Sequence, residues 1–395
     1  MIIKIEGVLS VSMPLEGIRV LDLTRLLPGP YTTLMLADFG ADVIKIEDPK
    51  LGDYARWGEP KVAEYSAMFH SLNRNKRSMT LDLKTDEGKA ILIDLVKTAD
   101  VLVESFRPGV MDRLGLGYDT LKNTNPKLIY CAITSFGQTG PYRNVPGHDI
   151  NFLSYSGLLD LQGESEGRPI SSSVQIGDIG GGSLMATIGI LVSILDAKKT
   201  GKGQFVDISM LDGAVSWMQT FLPDYLATNQ APKRGELVLN GGKACYEIYE
   251  TSDNRYLSVG ALEFKFWKNF CSVIGKEEFI ARLDAPVEEQ KLMKMEIGTV
   301  IRKKTLEDWM RLFHNVDACV TPVLTVEEMV ENPQIQHRQM IEEVYHPNSG
   351  AIRQIANPIK LSRSKVKTIR QAPALGEHNE ELLKELGRIN DVKHT

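Results

Sequence analysis

The sequence predicts an α/β protein: an open, mostly parallel, Rossmann-like sheet domain joined to a smaller α+β domain. Three observations lead there. Strand-like apolar runs alternate with helical runs through the first half of the 395 residues, the pattern of parallel βαβ units with right-handed crossovers. The texture changes near residue 230, where a hairpin signal is followed by helices. The composition, 43% hydrophobic and 25% charged, is that of a globular protein, not of a disordered, collagenous or coiled-coil one.

Taken in order, the first twelve residues read as an extension or a short extra strand ahead of Met13, a candidate natural start. Ile18 to Leu23 reads as a buried strand. Pro28-Gly29-Pro30 opens an apolar helix to about Ala37, proline being suited to a first turn. Ala41 to Ile46 is a second strand and Ser78 to Leu83 a third. Asp86 to Lys97 is an amphipathic helix with Ala90, Leu92, Ile93, Leu95 and Val96 on its apolar side. Val101 to Glu104 and Leu128 to Ile133 are further strands. Ser183 to Lys198 is hydrophobic nearly all round, so burial is expected. Gln204 to Ser209 returns to strand character, and Asp212 to Thr228 reads as one long helix leading away. Tyr246 to Glu250 and Tyr256 to Gly260 flank Ser252-Asp253-Asn254-Arg255, a hairpin signal. Helices dominate from Phe264 to Phe313, and Glu377 to Leu386 reads as a helix docking back on the first domain. The expected divisions are residues 1–205, a linker helix over 206–229, a small domain over 230–325 and a return segment over 326–395.

Several function classes lose support. A net charge of −5 argues against a nucleic-acid partner. Cys131, Cys245, Cys271 and Cys319 form no Cys-x-x-Cys pair, so neither a disulfide framework nor a zinc site is expected, and a cytoplasmic location fits. No signal peptide and no peroxisomal or retention address is read. The longest apolar run, Met185 to Leu195, is too short for a bilayer, so no membrane partner is expected. Also missing are a Gly-x-Gly-x-x-Gly after the first strand, a phosphate loop, a Gly-x-Ser-x-Gly elbow and paired histidines at metal spacing. No metal and no separate cofactor is expected.

Two residues carry candidate chemistry. His148, in Pro146-Gly147-His148-Asp149-Ile150-Asn151, places an imidazole beside a carboxylate, and histidine suits proton transfer near neutral pH. On spacing alone the commoner reading is a histidine satisfying a loop carbonyl. Asp178, in Gly177-Asp178-Ile179-Gly180-Gly181-Gly182-Ser183, stands before an apolar helix, where glycines would let another molecule approach the backbone. It reads equally as a capping aspartate in a glycine turn. The basic run Asn73-Arg74-Asn75-Lys76-Arg77 and the segment Phe106-Arg107-Pro108-Gly109 after a strand offer cations for phosphates. The alternative for such a run is a solvated charged face.

At these residues the chain resembles the class III CoA-transferase and racemase superfamily, from about Met13 to the C-terminal helix. The motifs are Leu21-Asp22-Leu23-Thr24 with Pro28-Gly29-Pro30, Ala37-Asp38-Phe39-Gly40-Ala41-Asp42-Val43, Asn75-Lys76-Arg77-Ser78, Leu81-Asp82-Leu83-Lys84, Phe106-Arg107-Pro108-Gly109, Gly137-Gln138-Thr139-Gly140-Pro141, Thr200-Gly201-Lys202-Gly203-Gln204 and Asp317-Ala318-Cys319-Val320-Thr321-Pro322. Most are common to the superfamily and do not choose the reaction. Gly147-His148-Asp149-Ile150-Asn151, the glycines after Asp178, and Gly260-Ala261-Leu262-Glu263-Phe264 resemble its racemase branch.

The resemblance implies that His148 and Asp178 are opposed acid/bases, with Glu263 a supporting carboxylate from the small domain. It implies that acyl-CoA is the substrate and that Leu26, Leu81, Asp82, Leu83, Lys84, Ser105, Phe106, Arg107, Arg113, Gly147, Asp149, Ile150 and Asn151 line its path. It also implies an interlocked homodimer. Relatives often place an arginine near the adenine phosphates where this chain has Asp48, so Lys45 or Arg74 is expected to replace it. The implied reaction interconverts R and S 2-methylacyl-CoA thioesters through an enolate held by backbone N–H groups near Gly180–Gly182 or Asp149. The alternatives are CoA transfer through an Asp178 acyl anhydride, and a CoA-binding protein without chemistry.

Overall fold

The computed structural model describes residues 13–346, 350–364, 366, 368 and 370–388; the N-terminal extension of residues 1–12 lies outside them. The chain forms two compact units. The sheet unit takes the described residues through Ser156, then Val174–Ser216 and those from Ile335 onward; the second unit takes Gly157–Ser173 and Trp217–Gln334. The chain therefore enters the second unit twice, where the linear reading kept residues 1–205 together.

Among the described residues the sheet has six strands: β1 (Arg19–Leu23), β2 (Asp42–Glu47), β3 (Lys76–Thr80), β4 (Val101–Glu104), β5 (Ile129–Thr134) and β6 (Phe205–Ser209). All pair in parallel, in the order β3-β2-β1-β4-β5-β6. The central strands β4 and β5 are apolar on both faces, as a sheet covered on both sides requires, whereas the edge strand β3, Lys76-Arg77-Ser78-Met79-Thr80, is largely polar. Leu21, Ile44, Leu102 and Tyr130 face a core with Ile91, Leu92 and Leu95 of α2 (Asp86–Val96). Val20, Val43, Val103 and Cys131 face the opposite core with α1 (Pro28–Asp38) and α4 (Met185–Thr200); α3 (Asp149–Tyr155) lies between them in sequence.

Three expectations change. The third strand ends at Thr80, because Asp82 starts a turn whose carboxylate accepts the Lys84 N–H. The helix expected over Asp212–Thr228 is two helices: α5 (Met210–Ser216) stops, and Leu222–Thr228 restarts on Pro223, which suits a first turn. Helix α4 is not buried all round. Ala186, Ile190 and Ile194 pack into the core, whereas Ile188, Val192 and Leu195 are exposed. With the preceding helical turns the rod runs Gly177–Thr200, 24 residues, long and apolar enough by length and composition to cross a bilayer. The shorter apolar run read from the sequence missed this. Half of its most apolar stretch is buried within the chain, as in the core helix of a sheet domain.

The second unit is built on a three-stranded antiparallel sheet of β7 (Tyr246–Glu250), β8 (Tyr256–Gly260) and β9 (Val320–Pro322), with β8 central. Its helices α6 (Phe264–Ile274), α7 (Val287–Ile301) and α8 (Leu306–Phe313) bury Trp267, Phe270, Trp309 and Phe313 against Leu257 and Val259. In the sheet unit, α9 (Asn379–Glu385) lies against the edge strand β3. The Ser78 N–H donates to His378 Nδ1 and the Thr80 N–H to Asn379 Oδ1, so side chains cover a sheet edge.

Candidate active site

Strand order reverses between β1 and β4, and open α/β sheets take ligands at the carboxyl ends of strands there. A cleft of about 660 Å³ opens at this point. Leu26 and Pro28 line it after β1, Ser105–Pro108 after β4, and Ser135 after β5, together with Gly147, His148, Asn151, Asp178 and Met210.

His148 sits at the N-cap of α3, and its backbone N–H donates to Asn151 Oδ1 at 3.0 Å. The side chain of Asn151 thereby fixes the start of the helix. Asp178 lies in the first turn of a π-helical run, Gly177–Leu184, that continues into α4. It is thus a helical residue, not a capping residue in a glycine turn. Its backbone N–H donates to Asp149 Oδ1 at 2.9 Å. Burial and the neighbouring Asp149 carboxylate push the Asp178 carboxyl up to about 6, against the opposing pull of His148.

The glycine run serves internal packing. A Cβ on Gly181 would lie 2.6 Å from the Met210 carbonyl oxygen, and one on Gly213 only 2.3 Å from Gly181 Cα. The glycines therefore let the π-helical run and α5 touch backbone to backbone. This replaces the expectation of a ligand's approach at Gly181. The segment expected to hold an enolate oxygen is likewise a helix rather than a turn.

The opposite wall is set by buried charges. Leu26 has φ of +63°, a left-handed conformation unusual for leucine. Asp53 holds it there: Oδ1 accepts the Leu26 N–H at 3.0 Å, and Oδ2 lies 2.8 Å from Lys45 Nζ. Lys45 also donates to the Thr24 carbonyl. Arg25 lies over the rings of Tyr54 and Phe106, at 5.2 and 5.6 Å.

This corrects the expected phosphate cations. Lys45 is fully buried on Asp53, and Arg74 is buried in a pair with Asp38. Lys76 is fully buried on Asp22, with Thr33 and Asn73 around its ammonium. Burial takes its pKa down to about 8 despite Asp22. Arg77 bonds Asp42, Glu381 and Glu385. The basic run is neither a solvated face nor a phosphate site; it joins the sheet to α1 and α9. The cleft instead presents Arg25, Arg107 and Arg143.

The chain matches the CoA-transferase family III model over residues 15–379. The chain belongs to that family. It is 36% identical to human alpha-methylacyl-CoA racemase, over 95% of this chain and 94% of the relative. It is 33% identical to human succinyl-CoA:glutarate CoA-transferase, over 96% of this chain and 87% of the relative. A CAIB/BAIF family protein from Brucella suis has a crystal structure similar to this fold, with a TM-score of 0.83, 32% identity, and coverage of 95% of this chain and all of that one. The chain is thus an enzyme of family III, and both reaction types occur among its relatives.

Of the sequence-predicted residues, Leu26, Ser105, Phe106, Arg107, Gly147, His148, Asn151 and Asp178 meet around a single cleft of this family III fold. Asp149 stands behind it through the Asp178 amide, and Ile150 is exposed on the same helix. Leu81 is buried in the sheet core and Leu83 packs against it, leaving Asp82 and Lys84 as the exposed side chains of that turn. Arg113 lies outside the cleft lining, near Gly109 beside Arg143. Glu263 belongs to the second unit, at the N-terminal end of α6. Sequence reading missed Arg25, Tyr54 and Arg143. Arg25 had one usable signal, its place two residues beyond the first strand.

Proposed function

We propose that this family III enzyme is a racemase that interconverts R and S 2-methylacyl-CoA thioesters, with His148 and Asp178 as the two acid/bases. The observation that carries the reading is that both line one cleft although they lie on different elements. In the S-to-R direction, neutral His148 takes the α-proton. The electrons of the broken C–H bond move into the thioester carbonyl and form an enolate. Protonated Asp178 returns a proton to the same carbon from the opposite face, leaving imidazolium and carboxylate to exchange protons with solvent. An acid whose pKa sits near 6 is close to the operating pH, where general acid–base catalysis is efficient. The Asp149 amide, first in α3, is the proposed enolate donor; such donors are each worth about 3 kcal/mol. Glu263 is proposed as a supporting carboxylate.

A second reading is supported by the transferase relatives at similar identity. Here the Asp178 carboxylate attacks the thioester carbonyl, expels CoA thiolate and forms an acyl anhydride. The thiolate then attacks the Asp178 carbonyl of the anhydride and releases the first acid as its carboxylate. An incoming carboxylate attacks that aspartyl thioester, expels the thiolate and forms a second anhydride. The thiolate attacks the new acyl carbonyl of this anhydride, which gives the new acyl-CoA and restores the Asp178 carboxylate. Proton NMR of a single-epimer 2-methylacyl-CoA in D₂O, with no acid acceptor, separates the two. Exchange of the α-proton with appearance of the other epimer supports the racemase; an unchanged spectrum, with new acyl-CoA species on adding free acids, supports the transferase.

A homodimer is also proposed. Ile188, Val192 and Leu195 form an exposed apolar stripe on α4, the kind of surface that a second copy covers. Val192→Glu is expected to shift sedimentation toward a monomer.

A further inference from the structure

Glu104 ends β4 directly beneath the cleft wall, and neither proposed reaction uses it. It is 5% exposed. Its Oε2 accepts the Phe106 N–H at 2.6 Å, and no basic side chain among the described residues forms an ion pair with it. The turn it closes carries Ser105, Phe106, Arg107 and Pro108 into the cleft. Phe106 in turn supports Arg25, whose Nη1 donates to the Tyr54 hydroxyl. One buried carboxyl thus stands behind a wall made from the loops after β1 and β4.

We propose that Glu104 is a positioning residue: its buried carboxyl holds the Ser105–Pro108 wall and the Phe106–Arg25–Tyr54 stack in the shape that receives acyl-CoA. This rests on the reading of the cleft as an acyl-CoA site, not on the choice between racemisation and transfer. The groups facing Glu104 favour the neutral form. Asp112 comes from the short helix Val110–Arg113, and Tyr130 and Cys131 from β5; none is a cation. Burial, reinforced by Asp112, pushes the Glu104 carboxyl up to about 8 against the pull of the Phe106 N–H. Ionisation strengthens the Phe106 N–H bond but leaves an unpaired buried charge beside Asp112. Its burial cost and the repulsion displace the turn, so the cleft binds less tightly as pH rises.

The test is binding of a non-reactive acyl-CoA thioether by calorimetry from pH 7 to 9.5, with kcat and KM measured alongside. Wild-type affinity is expected to fall by up to about tenfold per pH unit above 8. Glu104→Gln keeps an acceptor for Phe106 but cannot ionise, so its affinity should match wild type at pH 7 and stay flat. Glu104→Ala should raise KM at pH 7 with a smaller change in kcat. A Glu104→Gln profile that still follows wild type, or Glu104→Ala with unaltered affinity, overturns the inference. If Glu104→Ala does not fold, the Glu104→Gln profile decides alone. Wild type that binds the thioether but neither racemises nor transfers overturns the proposed function and leaves this role standing.

Discussion

Asp149 Oδ1 accepts the backbone N–H of Asp178 at 2.9 Å, joining two elements 29 positions apart. The same carboxylate helps to raise the Asp178 carboxyl. One residue thus places the backbone of the proposed acid and helps to keep it protonated.

Asp149→Asn separates these effects. An asparagine oxygen still accepts the Asp178 N–H, but the like charge is gone, so the Asp178 pKa falls from about 6. In the S-to-R direction Asp178 must hold a proton. The alkaline limb of kcat/KM should therefore move to lower pH, as a pH–rate profile of each epimer would show.

His148→Ala distinguishes the two reactions. Loss of a general base costs typically 10²–10⁴-fold, so racemisation should fall by about that factor. CoA transfer to a free acid should keep much of its rate, because Asp178 is the nucleophile there. Equal loss of both activities would count against the assignment of His148 to proton transfer.

Gly181→Ala tests the helix contact behind Asp178. The added methyl meets the Met210 carbonyl at 2.6 Å, a backbone atom that cannot rotate away. Overpacking of this kind costs about 1–3 kcal/mol, measurable by urea unfolding. Activity should fall further than stability explains, because the π-helical run carries the proposed acid.

Lys76→Met leaves Asp22 buried without its ammonium partner. Breaking one side of a buried pair costs about 3–5 kcal/mol, so the midpoint of urea unfolding should drop sharply. Thioether binding per folded molecule should change little, since Lys76 is absent from the cleft.

Much of the architecture was legible because it follows from period and punctuation. The alternation of strands and helices through Thr134 marked the parallel sheet, and Ser252–Arg255 marked the hairpin. His148 and Asp178 stood out by residue type beside glycine. What a single sequence does not carry is the use to which a charge is put. Lys45, Arg74 and Lys76 looked like ligands for phosphate, yet Arg74 and Lys76 have carboxylates brought from distant elements and Lys45 has Asp53 from the loop after its own strand. Arg25 gave the reverse error: its neighbours Tyr54 and Phe106 come from other loops. The exposed stripe on α4 was hidden for a similar reason, since an all-round apolar helix does not say which face its own chain covers.

The covering of β3 by His378 and Asn379 bears on how the protein is made. Strand β6 ends at Ser209 and α9 begins at Asn379, so the completed sheet waits with its β3 edge uncovered while about 170 further residues are added. Trp217–Gln334 is contiguous and carries its own aromatic core, so it can assemble during that interval. An uncovered parallel edge is a template for pairing with other chains. Slow translation, or truncation ahead of His378, should therefore favour aggregation of nascent chains over loss of the finished cleft.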